Sequence, residues 1–422
     1  MNNLVARFRS FDRPSQVLMV NQFSINIGFY MLMPYLATYL AGPLGLAAWA
    51  IGLVLGVRNF SQQGMFLLGG TLADRLGYKP LIVAGCLLRT AGFALLAAVD
   101  SLPAVLVASA ATGFAGALFN PAVRAYLAAD AGPRRVEAFA VFNVFYQAGI
   151  LLGPLVGLAL TAVDFRITAV VAAAVFGLLT LAQIRALPAH AAAKSGPRTT
   201  VFDDWKVVLA NRPFVLFALA MIGSYVLSFQ VYLALPLQVG GLVPNGSSGT
   251  ALVSALFVVS GMVAIAGQLR ITSWFSNRWG SGRSLVVGMT IMAAAFVPLV
   301  AVSDPPSGAR WAGAAALLVA AAVLAIGTAA VFPFEMDTVV ALSGDRLVAT
   351  HYGFYNTVVG VGILLGNLGT GAVFGLLSDS GVSWLIWVLL TAIGAACAAA
   401  LHLLDRTGRL TAPVGEPVSV SG

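Results

Sequence analysis

Two carboxylates, Glu335 and Asp337, stand two residues apart inside the apolar run 311–341. A carboxyl group in such surroundings can take up and release a proton, because desolvation favours its neutral form while a nearby cation or water favours the ionised one. On a helix the two side chains point to roughly opposite sides. Glu335 shares its face with Thr328 and Thr338, a polar lining, whereas Asp337 shares its face with Pro333, Val340 and Ala341 nearer the inner end. Glu335 is therefore the first candidate to carry a proton and Asp337 the second, with a structural ion pair as the alternative.

Cations in apolar runs are also costly, so each must face a partner, a cavity or the membrane surface. Arg124, in the run 103–127, either faces Glu335 across a cavity, as a third candidate for proton coupling, or snorkels to the inner headgroups and pairs with Asp130. Arg58 lies deep in the run 48–72, where snorkelling is hardest, and either binds an anionic group or is satisfied by Gln62 and backbone carbonyls. Arg89 reads as structural, nearer the inner boundary and within reach of the loops there. His351, at the start of the run 349–377, either titrates or packs at the interface, and packing is the simpler reading.

Polar and aromatic side chains supply the candidate substrate lining: Asn21, Gln22, Asn26 and Tyr30, then Arg58, then Tyr225, Gln230 and Tyr232, with Tyr355 and Asn356. Aromatic faces and amides in an apolar wall hold amphipathic ligands by dispersion and one or two hydrogen bonds. Isolated Tyr and Gln residues equally serve as packing glue between helices. The chain has no HExxH, P-loop, nucleophile elbow or grouped metal ligands, so neither an enzyme nor a bound metal or cofactor is expected. Cys86 and Cys397 sit alone in apolar stretches without ligand spacing.

The elements that must position these residues follow from composition. Of 422 residues, 59% are hydrophobic and 9% charged, with a mean hydropathy of +0.93. Soluble domains carry roughly 25% charge, which excludes a water-soluble fold. Apolar runs between breakers place spans at 15–40, 48–72, 80–99, 103–127, 137–161 and 166–186, then at 213–237, 250–272, 284–303, 311–341, 349–377 and 382–404. The expected fold is an all-α polytopic membrane protein with twelve transmembrane helices in two pseudo-symmetric six-helix halves, 1–186 and 213–404. A cytoplasmic linker occupies 187–212 and a cytoplasmic tail 405–422. In the linker, Ala, Gly and Pro around His190, Lys194 and Arg198 precede Thr200, Asp203 and Asp204, which read as a helix start. Val201, Trp205, Val208 and Leu209 form one apolar stripe, so this short helix either lies on the inner membrane surface or is an ordinary surface helix.

The halves repeat in sequence. Phe142-Asn143 followed by GILLG at 149–153 recurs as Tyr355-Asn356 followed by GILLG at 362–366, and Phe119-Asn120-Pro121 matches Val331-Phe332-Pro333. Parallel repeats of this kind place the substrate site between the halves near the bilayer midplane. The net charge of +8 is explained by topology rather than nucleic-acid binding. With the N-terminus inside, only Arg166 and Arg310 fall in outer loops, Arg58, Arg89 and Arg124 fall in spans, and the other basic residues lie on the cytoplasmic side. The N-terminal segment, charged and without a cleavage pattern, reads as a cytoplasmic leader.

Two loops and one span carry motifs. After the second span comes Gly69-Gly70-Thr71-Leu72-Ala73-Asp74-Arg75-Leu76-Gly77-Tyr78-Lys79-Pro80, a turn in which Gly77 permits chain reversal and Asp74, Arg75 and Lys79 can bond neighbouring helix ends. Asn277 to Arg283 look like a degraded copy. In the fifth span, Gly149, Gly153, Pro154 and Gly157 spell GxxxGPxxG, a small-residue face that permits close helix approach. The first motif matches the GxxxDRxGxK signature of the major facilitator superfamily, and the second resembles that of its drug:proton antiporters. With Gly56 to Gly64 and Arg89 to Ala94, the chain resembles the MdtH-type branch of twelve-span multidrug exporters. Two departures stand out: Ser109 replaces the usual Arg four residues before Gly113, and Asn21 and Gln22 stand where similar exporters have an acid.

The resemblance implies a secondary active transporter in the inner membrane of a bacterium, exporting small amphipathic compounds in exchange for protons by alternating access. Its expected partners are the small-molecule substrate, protons and the lipid bilayer, with no nucleic acid, and it is expected to act as a monomer. The alternatives are a dedicated importer or exporter of a single solute, an anion where Arg58 and Arg124 face it, and more remotely a non-transporting membrane receptor or an enzyme. The expected inner loops include 73–80, 128–136, 187–212 and 273–283. Cysteine placed at Lys79 or Lys194 is predicted to react only with reagent that has crossed the membrane; labelling from outside intact cells refutes this topology.

Overall fold

A backbone buried in hydrocarbon must satisfy its own hydrogen bonds, which leaves helices and closed barrels as the available solutions. The computed structural model, which describes residues 2–41, 43–46, 48–161, 164–188, 200–242, 247–302, 310–380 and 382–410, takes the helical one: it has no strand among these residues. Eight stretches are long and apolar enough to cross a membrane, and two of them, Leu102–Leu160 and Ala251–Ala301, run for 59 and 51 residues, enough for two crossings each.

The order of helices accommodates the expected twelve traverses. The first is the pair Arg13–Tyr30 and Met33–Ala41, the second the pair Ala48–Gln63 and Phe66–Leu76, and the third Tyr78–Ala98. Leu102–Ala131, Arg135–Thr161 and Phe165–Ala186 complete the first half. The seventh is interrupted: Arg212–Ala220, Ile222–Ser228, a 3-10 turn and Ala234–Leu242. The eighth and ninth share the continuous stretch Ser247–Ala294, broken at Gly280, and Val297–Ala301 follows. Arg310–Ser343, Val348–Asp379 and Trp384–Arg406 are the tenth, eleventh and twelfth.

Reversals at one end of the bundle are tighter than the sequence suggests. Instead of loops at 73–80 and 273–283, the helices run on and reverse at single residues, Gly77 (φ 94°) and Gly280 (φ 70°). Gly132 (φ 51°) and Gly344 (φ 59°) likewise mark the ends of the fourth and tenth helices. Only glycine takes these backbone angles cheaply, so a helix can stop within one residue and its last turn keeps helical geometry. Asp74 and Arg75 therefore project from a rigid helix end, and the sequence repeat is visible in the matching turns.

The same end carries the linker helix Val201–Ala210. Thr200 and Asp203 close a reciprocal capping box, and the Thr200 hydroxyl holds the exposed Asp203 carboxyl below the usual carboxylate range. This contribution is present at neutral pH and fades as acid protonates Asp203. Asp204 pairs with Arg75 at 2.6 Å, and the Trp205 indole donates to Thr71 Oγ1 at 2.9 Å. These two bonds set the roll of the helix, turning Asp204 and Val208 inward while Leu209 and Phe202 stay exposed. The expected stripe of Val201, Trp205, Val208 and Leu209 is thus split. Residues 189–199, which include His190, Lys194 and Arg198, and the tail from 411 lie outside the described residues.

The glycine motif of the fifth helix seats it on the first. A Cβ at Gly149 would lie 2.6 Å from the Asn26 Cβ and from the Phe23 carbonyl oxygen, one at Gly153 would lie 2.6 Å from the Tyr30 Cβ, and Gly157 abuts the Met31 carbonyl. This contact runs along the break in the first traverse at Met31 and Leu32. Pro154, within the fifth helix, accepts a hydrogen bond from the Tyr35 hydroxyl at 2.7 Å. Replacing Gly153 by Leu should force the first and fifth helices apart at a cost of about 1–3 kcal/mol, lowering both thermal stability and transport. Wild-type values for both would show that the close approach is dispensable.

Candidate functional site

Glu335 is 3% exposed in the middle of the bundle, and its Oε1 accepts a hydrogen bond from the Tyr225 hydroxyl at 2.8 Å. The Tyr355 hydroxyl lies near the same carboxylate but completes no hydrogen bond of good geometry. No cation stands within ion-pair distance of Glu335 among the described residues. Thr328 and Thr338, which share its face in the sequence, turn their hydroxyls back to the helix carbonyls of Leu324 and Phe334.

Asp337 is placed differently. It pairs with Arg135 at 3.0 Å, and Ser281 donates to its other oxygen at 3.3 Å. Arg135 also reaches Asp345 at 3.4 Å. Asp337 therefore belongs to a part-exposed ion pair that ties the first half to the second at the end carrying the turns.

Arg124 reaches across the halves, though not to a carboxylate: its Nη1 donates to Asn356 Oδ1 at 2.7 Å. Asn356 in turn donates to the Tyr352 carbonyl at 2.7 Å. Asp130, the alternative partner weighed for Arg124, accepts instead from the Ser15 backbone and hydroxyl. Arg124 is nonetheless close enough to Glu335 to feel its charge. Asn143, the residue equivalent to Asn356 in the first half, donates to Gln268 of the eighth helix at 2.7 Å. Each half thus uses its Asn to hold a residue of the other.

The lining candidates divide into two groups. Tyr225 and Tyr355 stand around Glu335, with rings 6.2 Å apart, and Phe217 stacks on Tyr355 at 6.0 Å. Tyr232 is half exposed and packs on Phe229 and Phe257. Gln22, Asn26 and Gln230 are buried and engaged in packing: Gln22 bonds Asn26, Asn26 bonds the Tyr146 carbonyl, and Gln230 bonds the Val226 carbonyl. Asn21 is buried with its amide nitrogen unpartnered. Tyr146, absent from the lining read in the sequence, lies against the first helix, its carbonyl accepting from Asn26 at 2.8 Å. Its place three residues after Asn143 is the signal that would have found it.

Arg58 and Arg89 share the ring of Phe29, with guanidinium carbons 4.4 and 5.3 Å from its centroid. Arg89 is therefore no loop-facing residue. It is eleven residues into the helix that starts at Tyr78, and at about 1.5 Å per residue that depth is about half the hydrocarbon core.

The turn after the second traverse forms a clamp. Asp74 accepts from the backbone nitrogens of Ala349 and Thr350 at 3.1 and 2.7 Å and from the Thr350 hydroxyl at 2.7 Å, capping the eleventh helix from the other half. Gly70 lets the two helices touch, since a Cβ there would strike the Ala349 carbonyl. Lys79 bonds the Ile184 carbonyl, and Arg75 holds the linker helix. The polar bonds between the halves, from Gln63–Thr357 to Asp74–Thr350, lie between the middle of the bundle and the end that carries the linker helix.

The model of the Major Facilitator Superfamily matches residues 18–367. An uncharacterized MFS-type transporter of Mycobacterium tuberculosis (strain H37Rv) is 62% identical over 97% of this chain and 99% of its own length. Multidrug resistance protein MdtH of Enterobacter sp. (strain 638) is 29% identical over 89% of this chain and 90% of its own. The crystal structure of nucleoside transporter NupG matches in fold, with a TM-score of 0.61 at 17% identity, over 92% of this chain and 99% of that one. With its helical repeat, its Asp74 turn and these likenesses together, the chain belongs to the major facilitator superfamily and is a membrane transporter of small molecules, not an enzyme.

Proposed function

We propose that this transporter exports small amphipathic compounds in exchange for protons, with Glu335 as the proton carrier. The observation that carries the reading is the position of Glu335: a carboxylate enclosed in the bundle, held by a tyrosine hydroxyl, with no ion-pair partner among the described residues. Such a group can change protonation at moderate cost, whereas Asp337, already neutralised by Arg135, gains little by taking a proton. The resemblance to MdtH supports export, and the aromatic cluster of Phe217, Tyr225 and Tyr355 beside Glu335, with Tyr232 on Phe257, suits amphipathic ligands.

The cycle follows from the contacts between the halves. The end with the linker helix is the cytoplasmic end in this reading, in keeping with the basic residues gathered there. Its clamp of Asp74, Arg135–Asp337 and Arg124–Asn356 closes the cytoplasmic side. A proton arriving from outside neutralises Glu335 and leaves Arg124 to Asn356. The protonated carrier then opens to the cytoplasm, where loss of the proton leaves an anion that Arg124 can balance while substrate loads, so that a proton enters as substrate leaves.

Glu335→Gln keeps the shape and fixes a neutral group, so uphill transport driven by a pH gradient should be lost while substrate binding and downhill exchange survive. Asp337→Asn should be milder, and Arg124→Ala should shift the pH dependence of transport. Normal gradient-driven transport by both Glu335→Gln and Asp337→Asn in vesicles refutes proton coupling through the tenth helix. Asp74→Asn should weaken the clamp by about 1 kcal/mol, the typical worth of a helix cap, and so increase cytoplasmic accessibility of a cysteine at Gln63 several-fold. Unchanged accessibility would remove Asp74 from the closing mechanism.

A further inference from the structure

A buried guanidinium is stable in a protein when a carboxylate or several carbonyl oxygens replace its lost water. The first half contains one, Arg89, that lacks this compensation, and the part-buried Arg58 stands beside it. Arg89 is 5% exposed, its Nε is buried without a partner, and it makes no hydrogen bond to any described residue. Its guanidinium lies over the faces of Phe29 and Phe176, at 5.3 and 5.4 Å. Arg58 donates to the neutral amide oxygens of Asn59 and Gln62, at 3.0 and 3.3 Å, and its Nε is also buried and unpartnered. Among the described residues no carboxylate lies within ion-pair distance of either.

The two cations are also near each other, on the same phenylalanine and with Gln62 between them. The absence of a side chain at Gly116 leaves the room they occupy: a Cβ there would come 3.0 Å from Arg89 Nη2 and 3.2 Å from the Gln62 amide carbon. Like charges brought together in an apolar wall repel, and a fold gains nothing by holding them there empty. Tyr30 packs edge-on against Phe29 at 5.1 Å, and Gln63, the residue after Gln62, meets Thr357 and Gly360 of the other half, which puts the pair beside the seam between the halves. Arg124 adds a third guanidinium to that seam, against the single carboxylate of Glu335.

We propose that Arg58 and Arg89 form an anion-binding subsite, and that the transported compound is an amphipathic organic anion whose carboxylate or sulfonate docks there while its apolar part lies on the aromatic cluster. This inference rests on the transport reading above and narrows its substrate class. Two guanidinium groups offer charge-assisted donors to one anionic head, and Phe29 supplies a ring beneath it. Glu335, on the other half, stays free to exchange its proton.

The test uses the purified full chain in detergent, without a gradient, so its result does not depend on proton coupling. Thermal unfolding is followed with 1-naphthoate and 2-naphthalenesulfonate, the neutral 1-naphthamide, inorganic phosphate and chloride. Either organic anion should raise the melting temperature at concentrations at least about tenfold lower than the amide, a difference of about 1.4 kcal/mol. Phosphate and chloride should have no comparable effect. Arg89→Gln should remove the stabilisation by organic anions and at the same time raise the melting temperature of the ligand-free protein, because an uncompensated charge is gone; Arg58→Gln should weaken anion binding.

A ligand-free Arg89→Gln protein that is less stable than wild type marks Arg89 as a structural cation and overturns the proposal. Equal stabilisation by 1-naphthamide, equal stabilisation by phosphate or chloride, or none by either organic anion also overturns it. Anion binding retained in Glu335→Gln, together with normal uphill transport by that variant, would sink the proton reading and leave the anion subsite standing.

Discussion

In hydrocarbon no water is available to solvate a stray polar group, and the structure is organised around that shortage. Backbone groups meet it by forming helices. Side chains meet it by pairing across the halves, as with Asp74 on the end of the eleventh helix, Asn143 on Gln268 and Arg124 on Asn356. The exceptions are then informative. Glu335 has a hydroxyl where a cation would be expected, and Arg58 and Arg89 have rings and amides where a carboxylate would be expected. These are the groups that the proposed proton and ligand would complete.

Glycine determines where the pairing can happen. Gly149, Gly153 and Gly157 bring the fifth helix onto the first, and Gly70 and Gly353 bring the second onto the eleventh. The first contact holds one half together; the second joins the halves. Backbone approach at Gly70 is what puts the Asp74 carboxylate within reach of the Ala349 and Thr350 nitrogens, so the packing and the cap form one unit. Just before that helix, Leu347 takes a positive φ of 50°, a conformation costly for a side chain of its size. The cap therefore stabilises a helix start whose approach is strained.

The repeat gives the two halves matching parts with different chemistry. Gly77 and Gly280 reverse the chain in the same manner, but the first is preceded by Asp74 and the second by Asn277. The charged clamp is accordingly one-sided, built by the first half on the second. Arg124 and Glu335 occupy nearly equivalent positions in the fourth and tenth helices and carry opposite charges. Symmetry of backbone is thus combined with asymmetry of charge.

Hydropathy and breaker residues alone determined the membrane class, the order of helices, the reversal at Gly77 and the short list of intramembrane charges, because each depends on residues close together along the chain. The Asp74 turn and the fifth-helix glycines were legible for the same reason. Which charges have partners was decided only by the tertiary structure. Glu335 and Asp337, two residues apart, differ because Arg135 from another helix reaches one and not the other. Arg89 looked like a loop-facing cation until the start of its helix at Tyr78 put it at mid-depth beside Phe29. The linker helix turned Leu209 outward because Arg75 and Thr71 anchor its opposite face. Pairing of this kind depends on how helices far apart in sequence are rotated against one another, and a one-dimensional pattern carries the period of each helix but not the angle at which it meets its neighbour.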